Sequence, residues 1–280
     1  MGSPLRQGSL GELSQTPHYV GGLSRVVESE VNTDVQFYFI RHAQSGNNLL
    51  WKRTGSHEGR STDPELSAVG RQQAQILAQY LRGAELPPVT PDRDPQNVAG
   101  FGLTHLYTSL MVRAVATGTI VARALDLPLV AWVDAHERGG IYLRDEQTDE
   151  RIGQPGHNRA YFEHHYPDLV LPESLGEAGW WNRPYEEQEQ RAARARRFLQ
   201  QLLERHGHTD DRVAVISHGG FYNSLLAVLL KLPEPEKAWF ILNNAAITRI
   251  DFHDASDEFA EHIALAYMNR VNFLPPELIT

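Results

Sequence analysis

The stretch Phe37-Tyr38-Phe39-Ile40-Arg41-His42-Ala43-Gln44-Ser45 decides the fold prediction. Its four apolar residues are followed directly by polar ones, which is typical of a short buried strand rather than a helix. A second stretch, 213–220, repeats the layout with Val-Ala-Val-Ile followed by Ser-His-Gly-Gly. Open α/β sheets bind ligands at the carboxyl ends of their strands. We therefore expect His42 and His218 to meet at one edge of a sheet.

Composition limits the classes of protein that the chain can represent. Its 280 residues carry a net charge of -9, which argues against a general nucleic-acid binder and makes any anion site a local basic pocket. The absence of cysteine excludes disulfides and thiolate chemistry. We find neither an apolar run long enough to span a membrane nor a signal-peptide pattern, so the expectation is a cytoplasmic protein.

The order of predicted elements indicates an α/β fold with a mostly parallel central sheet and helices on both faces. Besides the two histidine strands, strands are predicted at 103–107, 129–133, 245–252 and 262–268. Helices are predicted after Ser67, after a cap at Thr108 or Ser109, at 186–206 and after His218. The polar segment 45–63 is predicted to be a loop.

Three segments define the predicted domain organisation. Residues 1–34 have no sustained periodicity and are interpreted as an N-terminal extension, which can be poorly ordered. Residues 35–280 are interpreted as a single domain. Within it, residues 140–187 are too long for a simple connection and are predicted to form an insertion or lid after an acidic residue, Glu137.

The polar residues at the predicted strand exits indicate a phosphate site. Arg41 and Arg113 can bind phosphate oxygens through two N–H groups each, and a neutral His42 can act as a nucleophile. Gly219, after His218, allows a backbone N–H to approach a ligand closely. Glu137 is suited to protonate a leaving alkoxide and then to activate water.

Four motifs resemble those of the histidine phosphatase superfamily, also called the phosphoglycerate mutase-like family. They are Arg41-His42-Ala43-Gln44-Ser45-Gly46-Asn47-Asn48, Asp63-Pro64-Glu65-Leu66-Ser67-Ala68-Val69-Gly70, Ser109-Leu110-Met111-Val112-Arg113-Ala114 and Ser217-His218-Gly219-Gly220. The resemblance extends from about residue 37 to residue 268, with the motifs in the family's order.

The resemblance implies roles for individual residues. It makes His42 the phosphorylated nucleophile and Glu137 the proton donor. Arg41, Arg113 and His218 form the phosphate pocket, with support from Asn48. The family needs no metal or other cofactor, so none is expected here, and the partner is a small phosphorylated substrate. The oligomeric state stays open, with a homodimer as one possibility.

Two departures from the family pattern bear on the reaction. Ala43 replaces the glycine that usually follows the first histidine, and an ordinary backbone is inferred there. Mutases resemble one another in a Glu-Arg-x-Tyr-Gly run, whereas this chain has Glu137-Arg138-Gly139-Gly140-Ile141-Tyr142. The second departure favours a metal-independent phosphomonoesterase. A phosphoglycerate mutase and a non-catalytic phosphate-binding module are the alternatives.

Other residues admit two interpretations each. Arg60 either contacts a substrate carboxylate or second phosphate, or is a solvated loop arginine. Trp180 and Trp181 either line a substrate pocket or pack the insertion onto the core. Two pairs of histidines are close in sequence, His164 with His165 and His206 with His208. Neither pair matches a known zinc-ligand spacing, so no metal site is predicted there.

Overall fold

The computed structural model describes residues 35–83, 94–145, 147–233, 237–253 and 263–280. The predicted extension, 1–34, lies outside the described residues, so its boundary stays a prediction. The first half of the chain contains β1 Val35–Arg41, α1 Gly46–Thr54, α2 Ala68–Arg82, β2 His105–Thr108, α3 Val112–Leu125 and β3 Leu129–Ala131. The second half contains β4 Tyr142–Arg144, β5 Arg151–Gly153, α4 Arg159–His165, β6 Leu169–Val170, α5 Gln188–His206, β7 Arg212–Ser217, α6 Gly219–Leu229, β8 Ile247–Phe252 and β9 Ile263–Arg270.

Seven of the described strands form one sheet, in the order β6-β3-β2-β7-β1-β8-β9. The pairs from β6 to β1 are parallel, whereas β8 and β9 add an antiparallel edge. In the central pair, Arg41 of β1 lies opposite Ser217 of β7. The next residues, His42 and His218, therefore leave the sheet side by side, as the repeated strand pattern predicts.

The side chains of β1 alternate between two hydrophobic layers, because successive residues of a strand point to opposite faces. Phe37 and Phe39 pack with the buried faces of α5 and α6. Tyr38 and Ile40 pack with α2 and α3. The predicted mostly parallel sheet with helices on both faces is confirmed. No helix in the described ranges is long and apolar enough to cross a lipid bilayer.

The loop predicted for residues 45–63 is partly wrong, because it contains helix α1. A capping box starts this helix: Ser45 accepts from the backbone N–H of Asn48, and the Asn48 side chain accepts from the N–H of Ser45. The helix has no fully buried residue. It therefore lacks the apolar periodicity from which a helix is predicted.

The predicted cap of α3 at Thr108 or Ser109 is also wrong. Met111 occupies the N-cap position and makes no side-chain cap. The first helical N–H, that of Val112, instead donates to the Asp63 carboxylate at 3.1 Å. The orphan donor at this helix end is satisfied by a residue from a distant part of the chain.

Parts of segment 140–187 contribute to the central sheet and to the core. Its strand β6 extends the central sheet through β3, and Phe162 and Leu175 lie in the same hydrophobic cluster as α2 and α3. Strands β4 and β5 form a separate hairpin. At the C-terminal end of segment 140–187, Glu186 forms a buried ion pair with Arg194 of α5, with 2.5 Å between Glu186 Oε1 and Arg194 Nε.

Candidate active site

His42 follows β1 directly and is only 3% exposed. Its backbone N–H donates to the carbonyl of Ser217 at 2.9 Å. Its carbonyl accepts from Asn244 Nδ2 at 3.1 Å. Contacts from both neighbouring strands' ends thus fix the main chain that carries the predicted nucleophile.

The hydrogen bonds of the His42 ring define which nitrogen carries the lone pair. Nδ1 lies 2.7 Å from the carbonyl of Ala43, and because a carbonyl only accepts, Nδ1 carries the proton. Nε2 accepts from Arg113 Nε at 3.2 Å. The lone pair of a neutral imidazole is therefore on Nε2, beside a guanidinium that can also bind a phosphate oxygen.

Both candidate histidines are held in the uncharged form. Burial, reinforced by the charges of Arg113 and Arg41, lowers the pKa of His42 well below its usual 6.5. Burial, Arg113 and the neighbouring His42 do the same to the pKa of His218. The two ring centroids are 5.0 Å apart. At neutral pH both imidazole rings are thus uncharged.

His218 is oriented by Ser109. The Ser109 hydroxyl lies 2.6 Å from Nε2 of His218, and its oxygen also accepts from the N–H of Met111. When the serine donates its hydrogen to Nε2, the imidazole proton lies on Nδ1. Ser109, predicted as a helix cap, instead contacts the second histidine.

Two buried nitrogens of the site have no hydrogen-bond partner among the described residues. They are Arg41 Nε and His218 Nδ1. A second nitrogen of Arg41, Nη1, donates to the carbonyl of Leu242 and so anchors the guanidinium. Buried N–H groups in proteins are almost always paired. These two unpartnered nitrogens, next to the neutral His42 ring, are suited to contact a ligand.

Arg113 is 9% exposed and has a buried acidic neighbour that the sequence analysis did not assign to the site. Its Nη1 lies 3.5 Å from Asp63 Oδ1. Burial raises the pKa of Asp63 to about 7, against the opposing effects of Arg113 and the N–H of Val112. The charge of Asp63, next to Arg113, therefore changes near neutral pH.

Glu137 lies just after the 3-10 turn Val133–Ala135. Its carboxylate accepts from the N–H groups of Gly220 at 3.1 Å and Phe221 at 3.0 Å, at the start of α6. A Cβ at position 220 would lie 2.2 Å from Glu137 Oε1. Gly220 is thus required so that the carboxylate reaches the helix that begins with His218 and Gly219.

Two surface openings are lined by several of the predicted site residues. A cleft of about 840 Å³ is lined by Arg113, Glu137 and Arg60. A recess of about 380 Å³ is lined by Arg41, Gly219 and, again, Glu137. The predicted arginines and the predicted acid therefore line two openings, and Glu137 borders both.

Asn48 and Arg60 occupy different positions relative to His42. The Asn48 side-chain oxygen accepts from Asn244 Nδ2 at 3.2 Å, and the same Asn244 amide donates to the His42 carbonyl. Asn48 thus supports the loop of the nucleophile. Arg60 is exposed on the cleft wall, with its Nη1 3.4 Å from His57 Nδ1.

Trp180 and Trp181 pack into the core, at 8% and 4% exposure. Their rings lie 5.9 and 4.7 Å from that of the buried His136. Of the two interpretations of these tryptophans, packing of the insertion is confirmed. The cleft is instead lined by residues of the hairpin, including Tyr142, Arg144 and Arg151.

Comparisons with known proteins agree with this geometry. A family model described as histidine phosphatase superfamily (branch 1) matches residues 37–90 and 95–263. Among curated relatives, the probable phosphoglycerate mutase GpmB of Yersinia enterocolitica (serotype O:8 / biotype 1B) is 24% identical over 223 residues, covering 79% of this chain and 86% of the relative.

Solved structures with other names share the fold. The mycobacterial glucosyl-3-phosphoglycerate phosphatase aligns with a TM-score of 0.54 at 20% identity, covering 85% of this chain and 100% of its own. The phosphoserine phosphatase from Entamoeba histolytica, in complex with 3-phosphoglyceric acid, aligns with a TM-score of 0.51 at 19% identity. The alignment covers 86% of this chain and 100% of that structure's chain. Since the family model spans well over half of the 280 residues, the chain belongs to the histidine phosphatase superfamily (branch 1).

Proposed function

We propose that the protein is a phosphomonoesterase that works through a phosphorylated His42. The observation that carries the proposal is the pair of free buried donors, Arg41 Nε and His218 Nδ1, beside a neutral imidazole whose Nε2 holds the lone pair. A phosphoryl group placed there would receive charge-assisted hydrogen bonds from both arginines. Positioning and charge neutralisation are the main requirements of phosphoryl transfer.

The proposed reaction has two steps. Nε2 of His42 attacks phosphorus, the ester P–O bond breaks, and protonated Glu137 gives its proton to the leaving alkoxide. Glu137 then takes a proton from water, whose oxygen attacks phosphorus as the P–N bond breaks. Orthophosphate leaves, and His42 returns to the neutral state that its buried position favours.

The residues after the acid support hydrolysis over mutase chemistry. Gly140 stands where the mutase run Glu-Arg-x-Tyr-Gly has tyrosine, and its φ is +73°. A Cβ there would lie 2.1 Å from the ring of Trp181. The space next to the glycine is thus occupied by a core tryptophan, and no side chain at this position can hold a phosphoglycerate for return of the phosphoryl group.

Activity on two kinds of substrate tests the proposal. We expect hydrolysis of p-nitrophenyl phosphate in the presence of a metal chelator, with release of orthophosphate. We expect no interconversion of 3- and 2-phosphoglycerate, with or without 2,3-bisphosphoglycerate. Faster interconversion than hydrolysis would establish the mutase instead, and an inert protein that still binds phosphate would establish a binding module.

The cleft supports a substrate with a second anionic group. Its described lining contains five arginines against three carboxylates: Arg60, Arg113, Arg138, Arg144 and Arg151, with Glu58, Glu137 and Asp149. Arg144 is paired with Asp149. Among the described residues, the Arg60 guanidinium has only the side chain of His57 within hydrogen-bond distance, and it is exposed to an incoming ligand. We infer that Arg60 contacts the part of the substrate beyond the phosphate.

Substitution of Arg60 by alanine is expected to discriminate between substrates. For phosphoserine or phosphoglycerate, KM should rise about three- to tenfold, since a solvent-exposed charge-assisted hydrogen bond is lost. For p-nitrophenyl phosphate, which has no second anion, KM should stay within about twofold. Arg53→Ala, at the exposed end of α1, is the matched control. An equal change for all substrates would contradict the inferred contact.

The titration of Asp63 is expected to appear in anion binding. As pH rises through about 7, Asp63 loses its proton and its charge offsets that of Arg113. Sulfate, which keeps one charge state across neutral pH, should therefore inhibit about three- to tenfold more weakly at high pH than at low pH. Asp63→Asn should make the inhibition constant nearly independent of pH. The same slope in both proteins would contradict this role for Asp63.

A further inference from the structure

Three ionisable side chains meet at the opposite ends of the strands from the candidate active site. His105 begins β2, His206 ends α5, and Asp211 directly precedes β7. One ligand atom from each lies within 4.8 Å of the others. His206 Nδ1 is 2.9 Å from Asp211 Oδ2, and His105 Nδ1 is 3.4 Å from Asp211 Oδ1.

We propose that His105, His206 and Asp211 bind a divalent transition-metal ion, with zinc as the preferred ion. Two imidazoles and one carboxylate are a ligand set typical of zinc, and tetrahedral coordination leaves the fourth position to water. The carboxylate of Asp211 directs one oxygen to each histidine. Ligand atoms of a tetrahedral zinc site lie roughly 3.3 Å apart, close to these two distances, and the ion would replace the proton between His206 Nδ1 and Asp211.

The hydrogen bonds that His206 and Asp211 make with neighbouring side chains suit metal binding. The remaining nitrogen of His206, Nε2, lies 3.0 Å from the hydroxyl of buried Tyr107. A metal-bound histidine commonly donates its other N–H to such an oxygen, which fixes the orientation of the ring. Thr104 Oγ1 donates to Asp211 Oδ1 at 3.2 Å and so orients the carboxylate. His105, whose side chain is 43% exposed, leaves an entry path for the ion.

The backbone already holds the three ligands near one another. The N–H of Thr104 donates to the carbonyl of Arg212 at 2.9 Å, which joins the starts of β2 and β7. Thr209 Oγ1 donates to the carbonyl of His206 at 2.6 Å and accepts from the N–H of Asp211 at 3.1 Å. Binding therefore requires little ordering of the chain.

The position of the site indicates a structural role. The six residues of β7 separate Asp211 from His218, a distance of roughly 20 Å along an extended strand. An ion there cannot touch a substrate at His42. It links the C-terminal end of α5 to the central sheet, and we expect it to stabilise the folded state without changing hydrolysis.

Calorimetric titration of the full chain with Zn²⁺, after chelator treatment, tests the proposal. We expect one ion per chain and, with Co²⁺, the visible absorption of a tetrahedral site. His105→Ala should weaken zinc binding at least about tenfold. Because His105 is partly exposed, this variant keeps the buried contacts of His206 with Tyr107 and Asp211. Zn²⁺ should raise the melting temperature of the parent more than that of the variant.

A matched control is available two residues from the site. His208 is exposed and has a positive φ of 61°, so His208→Asn preserves the backbone while removing an imidazole. This variant should bind zinc as the parent does. Absence of saturable binding to the parent, or equal affinity in parent and His105→Ala, would overturn the proposal. Neither result depends on the phosphatase activity.

Discussion

Replacement of His42 by alanine is expected to reduce hydrolysis of phosphomonoesters by about 10⁴- to 10⁶-fold, because the covalent route is lost entirely. Among the described histidines, His218 lies next to His42 but does not replace it, because its Nε2 lies 2.6 Å from the Ser109 hydroxyl. Steady-state rates with p-nitrophenyl phosphate measure the loss. A reaction with labelled substrate, quenched rapidly without acid, shows whether the phosphoryl group stays on the protein.

Two controls separate lost chemistry from lost structure in this experiment. His164→Ala removes an exposed histidine of α4 and should retain full activity. Added imidazole should restore part of the turnover of His42→Ala, since the substitution leaves space for it beside Arg113. A variant that hydrolyses and becomes labelled like the parent would contradict the assignment of His42 as nucleophile.

The positions of the two histidines could be predicted because the signals are local. Each follows a short apolar run that is buried on both faces, and the exits of such strands are ligand sites in α/β folds. That β1 and β7 are neighbours is a property of the topology. The repeated pattern predicts that both histidines reach one edge of the sheet, but it does not specify that their strands are direct neighbours.

The groups that tune the site could not be predicted in the same way. Asp63 reaches Arg113 and the N-terminus of α3 only after the chain folds, and its raised pKa depends on that burial. Ser109 has the sequence signature of a cap, yet its hydroxyl is used by His218. Short polar side chains satisfy whichever partner the tertiary structure supplies.

The insertion illustrates a second limit of the sequence. Its Gly, Pro and Trp content indicates irregular structure, but Trp180 and Trp181 are core residues that determine where glycine is required. A Cβ at Gly140 or Gly156 would meet their rings at 2.1 and 2.3 Å. Since the partners of each tryptophan are distant in sequence, the choice between core and pocket depends on the fold.

Replacement of Glu137 by glutamine is expected to give a loss that depends on the leaving group. For alkyl phosphates such as phosphoserine, the alkoxide needs a proton, and the rate should fall about 10²- to 10⁴-fold. For p-nitrophenyl phosphate, whose phenolate leaves without protonation, the phosphorylation step should be nearly unaffected. Single-turnover measurements with both substrates isolate this step from the later attack of water.

The same substitution also tests a structural alternative for Glu137. Its carboxylate accepts from the N–H groups of Gly220 and Phe221 and so helps to hold the helix that begins beside His218. If that were its whole contribution, Glu137→Gln would slow both substrates by the same factor. Ser224→Ala, later in α6, is the matched control for a general disturbance of the helix. A loss confined to poor leaving groups is the result expected from the missing proton, because contacts with the phosphoryl group are common to both substrates.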